Sequence, residues 1–391
     1  MKVLLIRIGG RINKYSNSEE ISGAEIYNIN FLKALRNHKE IDIVMLTNSQ
    51  TLSKRLLDLK IKSYVIKLPI SEIGTKRDFL KAVFFSPFIV ISYLKKIKDI
   101  ERGIRFDVIC LESMTEKIFL SPMLKALGYR VIWIEHGPLF ITDRFSLIKK
   151  LYRLISLATS KIVSVSTDTK KDLLTSGISL KKLAVIPSAI DINYFSPIKK
   201  EEKEKLKRRL KINNKLVIGY SGGINKEKGI EEFLQTAEIL CKKNKDIIFL
   251  LVGDGPCFNW AKERIKILKI DKAFLLVGFQ KKIKNYLNVM DIFFFPTNHY
   301  EGLSLSLLEA AAMELLIVTH DIGGNREVVV DRVTGSLYKK FEVKKVLKLL
   351  LQFTKHYDKY TTIRKNARKL VVENYTIDAM AEKYNNLFAS L

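Results

Sequence analysis

A chain of 391 residues is too long for a single hydrophobic core and predicts two domains. Its 47% hydrophobic content, with only 19 Gly and 8 Pro, excludes a disordered, collagenous or low-complexity protein. Three scattered cysteines (Cys110, Cys241, Cys257) exclude a disulfide framework and lack zinc-ligand spacing, while a net charge of +27 asks for an anionic partner: nucleic acid, an acidic membrane face or a phosphorylated substrate.

In chain order, residues 2–8 read as a first strand, too short an apolar run for a signal peptide and without a small-residue cleavage site. Further apolar, β-branched runs follow at 41–47, 107–111, 131–135 and 161–166, then at 215–220, 247–252, 273–277, 291–295 and 315–319. Helical-period segments separate them, so each half predicts βα units, and strands apolar without alternation predict parallel sheets covered on both faces.

The run Val83–Leu94 is 12 residues, short of the roughly 20 that span a bilayer. Lys76, Arg77 and Lys81 precede it, and Lys95, Lys96 and Lys98 follow. It reads equally as an interfacial membrane-binding helix or as a buried helix with solvated ends. The decisively polar stretch lies around KKEEKEKLKRRLK (199–211). The expected organisation is therefore an N-terminal Rossmann-like domain (1–190), a linker (191–214), a C-terminal Rossmann-like domain (215–372) and an amphipathic helix (373–391) packing back on the first. The fold class is α/β, two Rossmann-like domains facing a cleft.

Three stretches carry chemistry. His299-Tyr300-Glu301-Gly302-Leu303-Ser304-Leu305, continuing to Glu309, follows a strand and opens a helix. On a helix, Glu301 and Glu309 stand about 12 Å apart, able to grip two ends of an extended ligand. The free N–H groups of Gly302, Leu303, Ser304 and Leu305 offer an anion site between them. Next, Ser221-Gly222-Gly223 with Lys226, Lys228 and Gly229 forms a second strand, glycine turn and helix. Its glycines let backbone approach a phosphate and its lysines neutralise one, yet it matches neither a Walker A loop nor G-x-G-x-x-G. In the first half, Gly23 opens the first helix and His136 ends a strand, both at the rim where open α/β sheets bind ligands. No D-x-D pair or Cys/His cluster accompanies them, so no metal and no cofactor are expected.

In order and spacing these stretches resemble the GT-B-fold retaining glycosyltransferases of glycosyltransferase family 4. The likeness runs over nearly the whole chain: SGAEIYNINFLKAL, EHGP, VIPSAIDINYFSP, the lysine loop, LLVGDGP, the E-x7-E stretch and GGNREVVVDRVTG. It implies a GT-B fold and transfer from a nucleotide-sugar donor, UDP- or GDP-linked, to a glycan or lipid-linked acceptor. In the family the first glutamate lies at the donor sugar, the second holds the ribose, the loop lysine binds the diphosphate and the histidine sits near sugar and phosphate. Those roles fall on Glu301, Glu309, Lys228 and His136, and the glycine of the first helix on Gly23. Gly223 stands where many members carry an arginine, and Glu314 and Leu316 replace the usual Gly and Pro after the E-x7-E helix. A GT-B phosphorylase or a nucleotide-sugar epimerase shares the fold, and a basic nucleic-acid binder is the reading from another class, although no basic helix, RNP-like aromatic motif or zinc finger favours it. The greater positive excess before residue 200, with the run 83–94, leads to the expectation of a cytoplasmic enzyme that touches the membrane surface through its first domain.

Overall fold

The computed structural model describes residues 1–8, 23–36, 40–68, 76–139 and 146–391. Ser22, in the first of the family-like stretches, lies outside them. The chain forms β1 (Lys2–Arg7), α1 (Gly23–Arg36), β2 (Asp42–Thr47), α2 (Gln50–Asp58), β3 (Ser63–Val65), α3 (Lys76–Glu101), β4 (Val108–Leu111), α4 (Met114–Ala126), β5 (Arg130–Glu135), α5 (Ser146–Ile155), β6 (Lys161–Ser164), α6 (Thr167–Thr175) and β7 (Leu183–Val185). It continues through α7 (Lys200–Arg209), β8 (Leu216–Ser221), α8 (Ile230–Lys243), β9 (Ile247–Val252), α9 (Phe258–Ile267), β10 (Phe274–Gly278), α10 (Lys284–Leu287), β11 (Ile292–Phe295), α11 (Leu305–Ala312), β12 (Leu316–His320), α12 (Asn325–Val328), β13 (Ser336–Tyr338), α13 (Val343–Lys355), α14 (Thr361–Asn374) and α15 (Ile377–Ala389).

Two compact units result, Met1–Ala189 with Ile377–Leu391, and Ile190–Thr376. The first holds a seven-stranded parallel sheet, β3-β2-β1-β4-β5-β6-β7, and the second a six-stranded one, β10-β9-β8-β11-β12-β13. Val3, Leu4, Leu5 and Ile6 of β1 are wholly buried, as strands with helices on both faces require. In each sheet the strand order reverses beside the first strand, between β1 and β4 and between β8 and β11. At such a switch point the loops leave in opposite directions and open a crevice at the carboxyl ends of the strands.

Helix α15 lies against α1 in the first unit: Tyr27 and Tyr384 share a hydroxyl hydrogen bond of 2.6 Å, and the Phe31 and Tyr384 rings meet at 4.5 Å. Part of the expected linker, Lys200–Arg209, is helical. Its charge run folds as α7, because Lys203 and Lys207 reach the buried carboxylate of Asp291 at 2.6 and 3.0 Å and so tie the helix to the second unit. The polar charge run thus includes two lysines that serve one buried acid. Asp291 also accepts the N–H of Val217, which joins β8, the start of β11 and α7 at one carboxylate.

Candidate active site

Two loops converge at the switch point of the second sheet. After β8 the chain turns through Gly222 at φ 150°, where a Cβ would stand 3.3 Å from the Tyr220 hydroxyl and 3.7 Å from Ser306 Oγ. The glycine turn therefore lies against the first turn of α11. Its backbone is braced by the end of β9 and the loop after it: Gly222 N–H donates to Val252 O at 3.1 Å and Ile224 N–H to Asp254 O at 2.9 Å. Asn225 Oδ1 accepts the Lys228 N–H at 2.9 Å and caps a single 3-10 turn, Lys226–Lys228. Gly229 then adopts φ 77°, and a Cβ there would lie 1.9 Å from the Pro296 carbonyl oxygen. Only glycine allows the lysine loop to close on the end of β11.

That closure places Lys228 Nζ in an ion pair with the Glu301 carboxylate, with Thr297 Oγ1 3.5 Å from the same oxygen. Both side chains stay partly open to solvent, 23% and 13% exposed, so an incoming anion could compete for the lysine. Glu301 itself is held by its backbone: its carbonyl accepts the Gly324 N–H at 2.8 Å, and a Cβ on Gly324 would stand 1.9 Å from the Gly302 oxygen.

Helix α11 starts at Leu305, with Ser304 as an N-cap in extended conformation whose side chain makes no capping bond. The first turn of the helix leaves the amides of Leu305, Ser306 and Leu307 ahead of its first hydrogen bond, Leu308 N–H to Ser304 O at 3.1 Å. Gly302, Leu303 and Ser304, expected to lie at the helix start, form the turn leading into it. Glu301 is therefore four residues before the helix, and the helical separation of about 12 Å expected for E-x7-E does not hold. Glu309 lies one turn inside α11, buried, without a side-chain hydrogen bond or ion pair to any described residue. Burial alone pushes its pKa up to about 8.

The switch point of the first sheet gathers a second set. His136 follows β5 directly, its Nε2 3.3 Å from Glu112 Oε1, and its ring stands edge-on to Tyr27 at 4.6 Å. Glu112 follows β4 and is fully buried; its other oxygen accepts from Arg7 Nη1 at 3.0 Å and from Asn28 Nδ2 at 2.9 Å. Burial would raise the Glu112 pKa, yet His136 first, then Arg7 and Asn28, outweigh it and hold it at about 2. Sequence reasoning missed Glu112, although an acid directly after an apolar strand was a legible signal. Gly23 opens α1 as expected, and a Cβ there would meet nothing within 4 Å. Among the described residues no group of three or more His, Cys, Asp or Glu side chains is placed to hold a metal ion.

Residues 21–194 match the model of glycosyltransferase family 4, and residues 202–370 that of the glycosyl transferases group 1. The chain belongs to the family 4 glycosyltransferases of the GT-B fold. Among its relatives, the UDP-Gal:alpha-D-GlcNAc-diphosphoundecaprenol alpha-1,3-galactosyltransferase of Escherichia coli is 25% identical, over 84% of this chain and 90% of its own. The N,N'-diacetylbacillosaminyl-diphospho-undecaprenol alpha-1,3-N-acetylgalactosaminyltransferase of Campylobacter jejuni is 24% identical, over 94% and 96%. Among solved structures, Anabaena HepE in complex with UDP superposes with a TM-score of 0.82 at 17% identity, both chains covered in full. A glycosyltransferase from Rickettsia africae does so at 0.80 and 21%, covering 100% of this chain and 98% of its own.

The departures from the family pattern have local explanations. In this glycosyltransferase Glu314, standing where glycine is usual, takes φ 55° just past α11. There it closes the helix as a Schellman cap, with Leu315 N–H to Ala310 O at 3.0 Å and Glu314 N–H to Ala311 O at 3.1 Å. The left-handed conformation costs a non-glycine residue about 1 kcal/mol, which the cap offsets. At Gly223, an added Cβ would meet only Asn225 Nδ2 at 3.6 Å, so the backbone does not require glycine here and nothing in the structure explains the change from arginine.

Proposed function

We propose that this glycosyltransferase transfers a hexose from a UDP- or GDP-sugar to a lipid-linked glycan, with retention at the anomeric carbon and without a metal ion. The observation that carries the reading is the Lys228–Glu301 pair set beside the open first turn of α11 at the switch point of the second sheet. The diphosphate takes the α11 amides and draws Lys228 from Glu301, so positive groups already in place meet the charge that develops on the leaving group. Glu301, released, orients donor hydroxyls and stabilises the oxocarbenium-like sugar. His136, its ring held by Glu112 and Tyr27, acts on the donor sugar as the family resemblance implies. In a front-face substitution the bond from C1 to the leaving phosphate breaks as the acceptor oxygen bonds to C1 on the same face. The acceptor's proton passes to the departing phosphate oxygen, so no separate general base is required.

The acceptor class draws on the relatives above, whose names specify diphospho-undecaprenol-linked sugars. The relative solved with UDP supports a uridine donor. Metal independence draws support from the side chains at the donor loops, where a lysine and a helix N-terminus supply the positive charge. Activity is accordingly expected to survive EDTA; complete loss restored by Mg2+ or Mn2+ would contradict this part of the reading.

Glu309 gives a pH test. Its pKa of about 8 in the free protein means that it is protonated at neutral pH, and ribose hydroxyls donating to it favour the ionised form. Nucleotide binding is then expected to release a proton below pH 8, so affinity rises with pH up to that value. Calorimetric titration with UDP and GDP in two buffers of different ionisation heat measures the release. Glu309→Gln should abolish it and flatten the pH dependence; unchanged proton release in that variant would remove Glu309 from the ribose.

A further inference from the structure

Helix α3 has two faces of opposite fate. Ala82, Ile89, Tyr93, Ile97 and Ile100 point into the core of the first unit, while Leu80, Phe84, Phe88 and Ile91 are exposed, Phe84 by 79%. At 100° per residue those four fall, with Arg77, Lys95 and Lys98, within an arc of about 80° on one side of the helix. The apolar stretch is thus centred on the outer face, with exposed basic residues at both of its ends. Such a surface is costly in water unless something covers it. Nor is it a frayed segment: Pro87 cannot donate to the Val83 carbonyl, and Ser86 Oγ donates to it instead at 2.7 Å, so the helix continues through the proline.

The helix also has a defined height on the sheet. Its carboxyl end sits at the start of β1, where Lys2 Nζ donates to the carbonyls of Glu101 and Ile104 at 3.2 and 2.7 Å. From there β1 rises about 20 Å over the six steps from Lys2 to Ile8. Leu80 lies 21 residues back from Glu101, about 32 Å along α3 at 1.5 Å per residue, and so about 12 Å past the end of β1. The exposed apolar residues therefore reach the carboxyl rim of the first sheet, with Phe84 and Leu80 rising beyond it, the same rim that carries Glu112 and His136.

We infer that the outer face of α3 is a docking surface for an anionic lipid bilayer, with Leu80, Phe84, Phe88 and Ile91 entering the interface and Arg77, Lys81, Lys95 and Lys98 meeting the headgroups. Charge selects this occupant: the patch is basic at both ends, and residues 1–200 carry 34 Lys+Arg against 18 Asp+Glu. A surface of this kind binds reversibly through combined apolar burial and attraction to acidic lipid. No helix among the described residues is long and apolar enough to cross a membrane, so the contact is interfacial. The inference rests on the proposed lipid-linked acceptor for its purpose, since docking here brings a membrane-borne acceptor to the sheet rim, but its test needs no acceptor.

Full-length protein is sedimented with vesicles of phosphatidylcholine alone and with about 30 mol% phosphatidylglycerol. Wild type is expected to bind the anionic vesicles at least about tenfold more tightly than the neutral ones and to be released by about 0.5 M NaCl. Phe84→Glu/Phe88→Glu should lose that binding, and Lys95→Glu/Lys98→Glu should weaken it about tenfold or more. Both variants should keep the wild-type melting temperature and the thermal shift with UDP or GDP, which reads the donor site separately. Equal and negligible binding of wild type to both vesicles would overturn the inference. So would undiminished binding by the Phe84→Glu/Phe88→Glu variant, or light scattering in which wild type is a dimer and that variant a monomer, which would assign the face to a second copy.

Discussion

Glu301→Ala is expected to reduce transfer by about 10²- to 10³-fold with little change in melting temperature, the magnitude typical of removing one preorganised electrostatic group from a reacting centre. The residue lies in a loop fixed by backbone contacts to Gly323 and Gly324, so the fold does not depend on its carboxylate. Because Lys228 is paired with Glu301 in the free protein, the two substitutions should not add: Lys228→Ala also frees Glu301, and the double variant should lose less than the product of the singles. Steady-state kinetics separate the roles. Lys228→Ala should raise KM for the donor, whereas Glu301→Ala should act mainly on kcat. Wild-type turnover in Glu301→Ala would remove it from the reaction.

Glu112→Ala should have the largest effect on stability, about 3 to 5 kcal/mol, because it removes the buried carboxylate that Arg7, Asn28 and His136 all face. In a unit of this size that corresponds to a fall of roughly 10 °C in melting temperature. Glu112→Gln keeps the volume and one acceptor and should lose less. The pH dependence has a definite sign. With its pKa held at about 2 in the folded chain, Glu112 contributes stability that is present above the ordinary carboxylate range and is lost as pH falls towards 2. Acid unfolding curves of the Gln variant should therefore be flatter than wild type over that interval. A melting temperature unchanged by Glu112→Ala would mean that the cluster carries no net stability.

Both sheets were legible because long Val, Ile and Leu runs without alternation have no other stable place than between helices. The ten runs read as strands all appear, while β3, β7 and β13, of three residues each, do not stand out because their residues are mostly only half-buried edge positions. The charge run 199–211 hides the helix α7 for a physical reason. Its acids and bases look solvated in sequence, and the buried Asp291 that organises them lies some ninety residues away. The glycine turn, Lys228 and Glu301 stood out from glycine and charge patterns, while the helical spacing of E-x7-E does not apply because Ser304, an N-cap type, places the start of α11 after Glu301. The histidine and the acid each stand visibly at a strand end, but their pairing does not show in sequence, since Glu112 and His136 meet only when β4 and β5 pair.

The most direct test of the proposed transfer is the anomeric configuration of its product. UDP- and GDP-hexoses are incubated with the protein, EDTA and a diphospholipid-linked monosaccharide, and the new glycosidic linkage is read from the proton NMR coupling at its anomeric carbon. The expected result is a disaccharide on the lipid carrier whose linkage keeps the α configuration of an α-linked donor, with free nucleoside diphosphate in equal amount. A β linkage, or nucleotide-sugar turnover that yields only an epimer or free sugar phosphate, would contradict it.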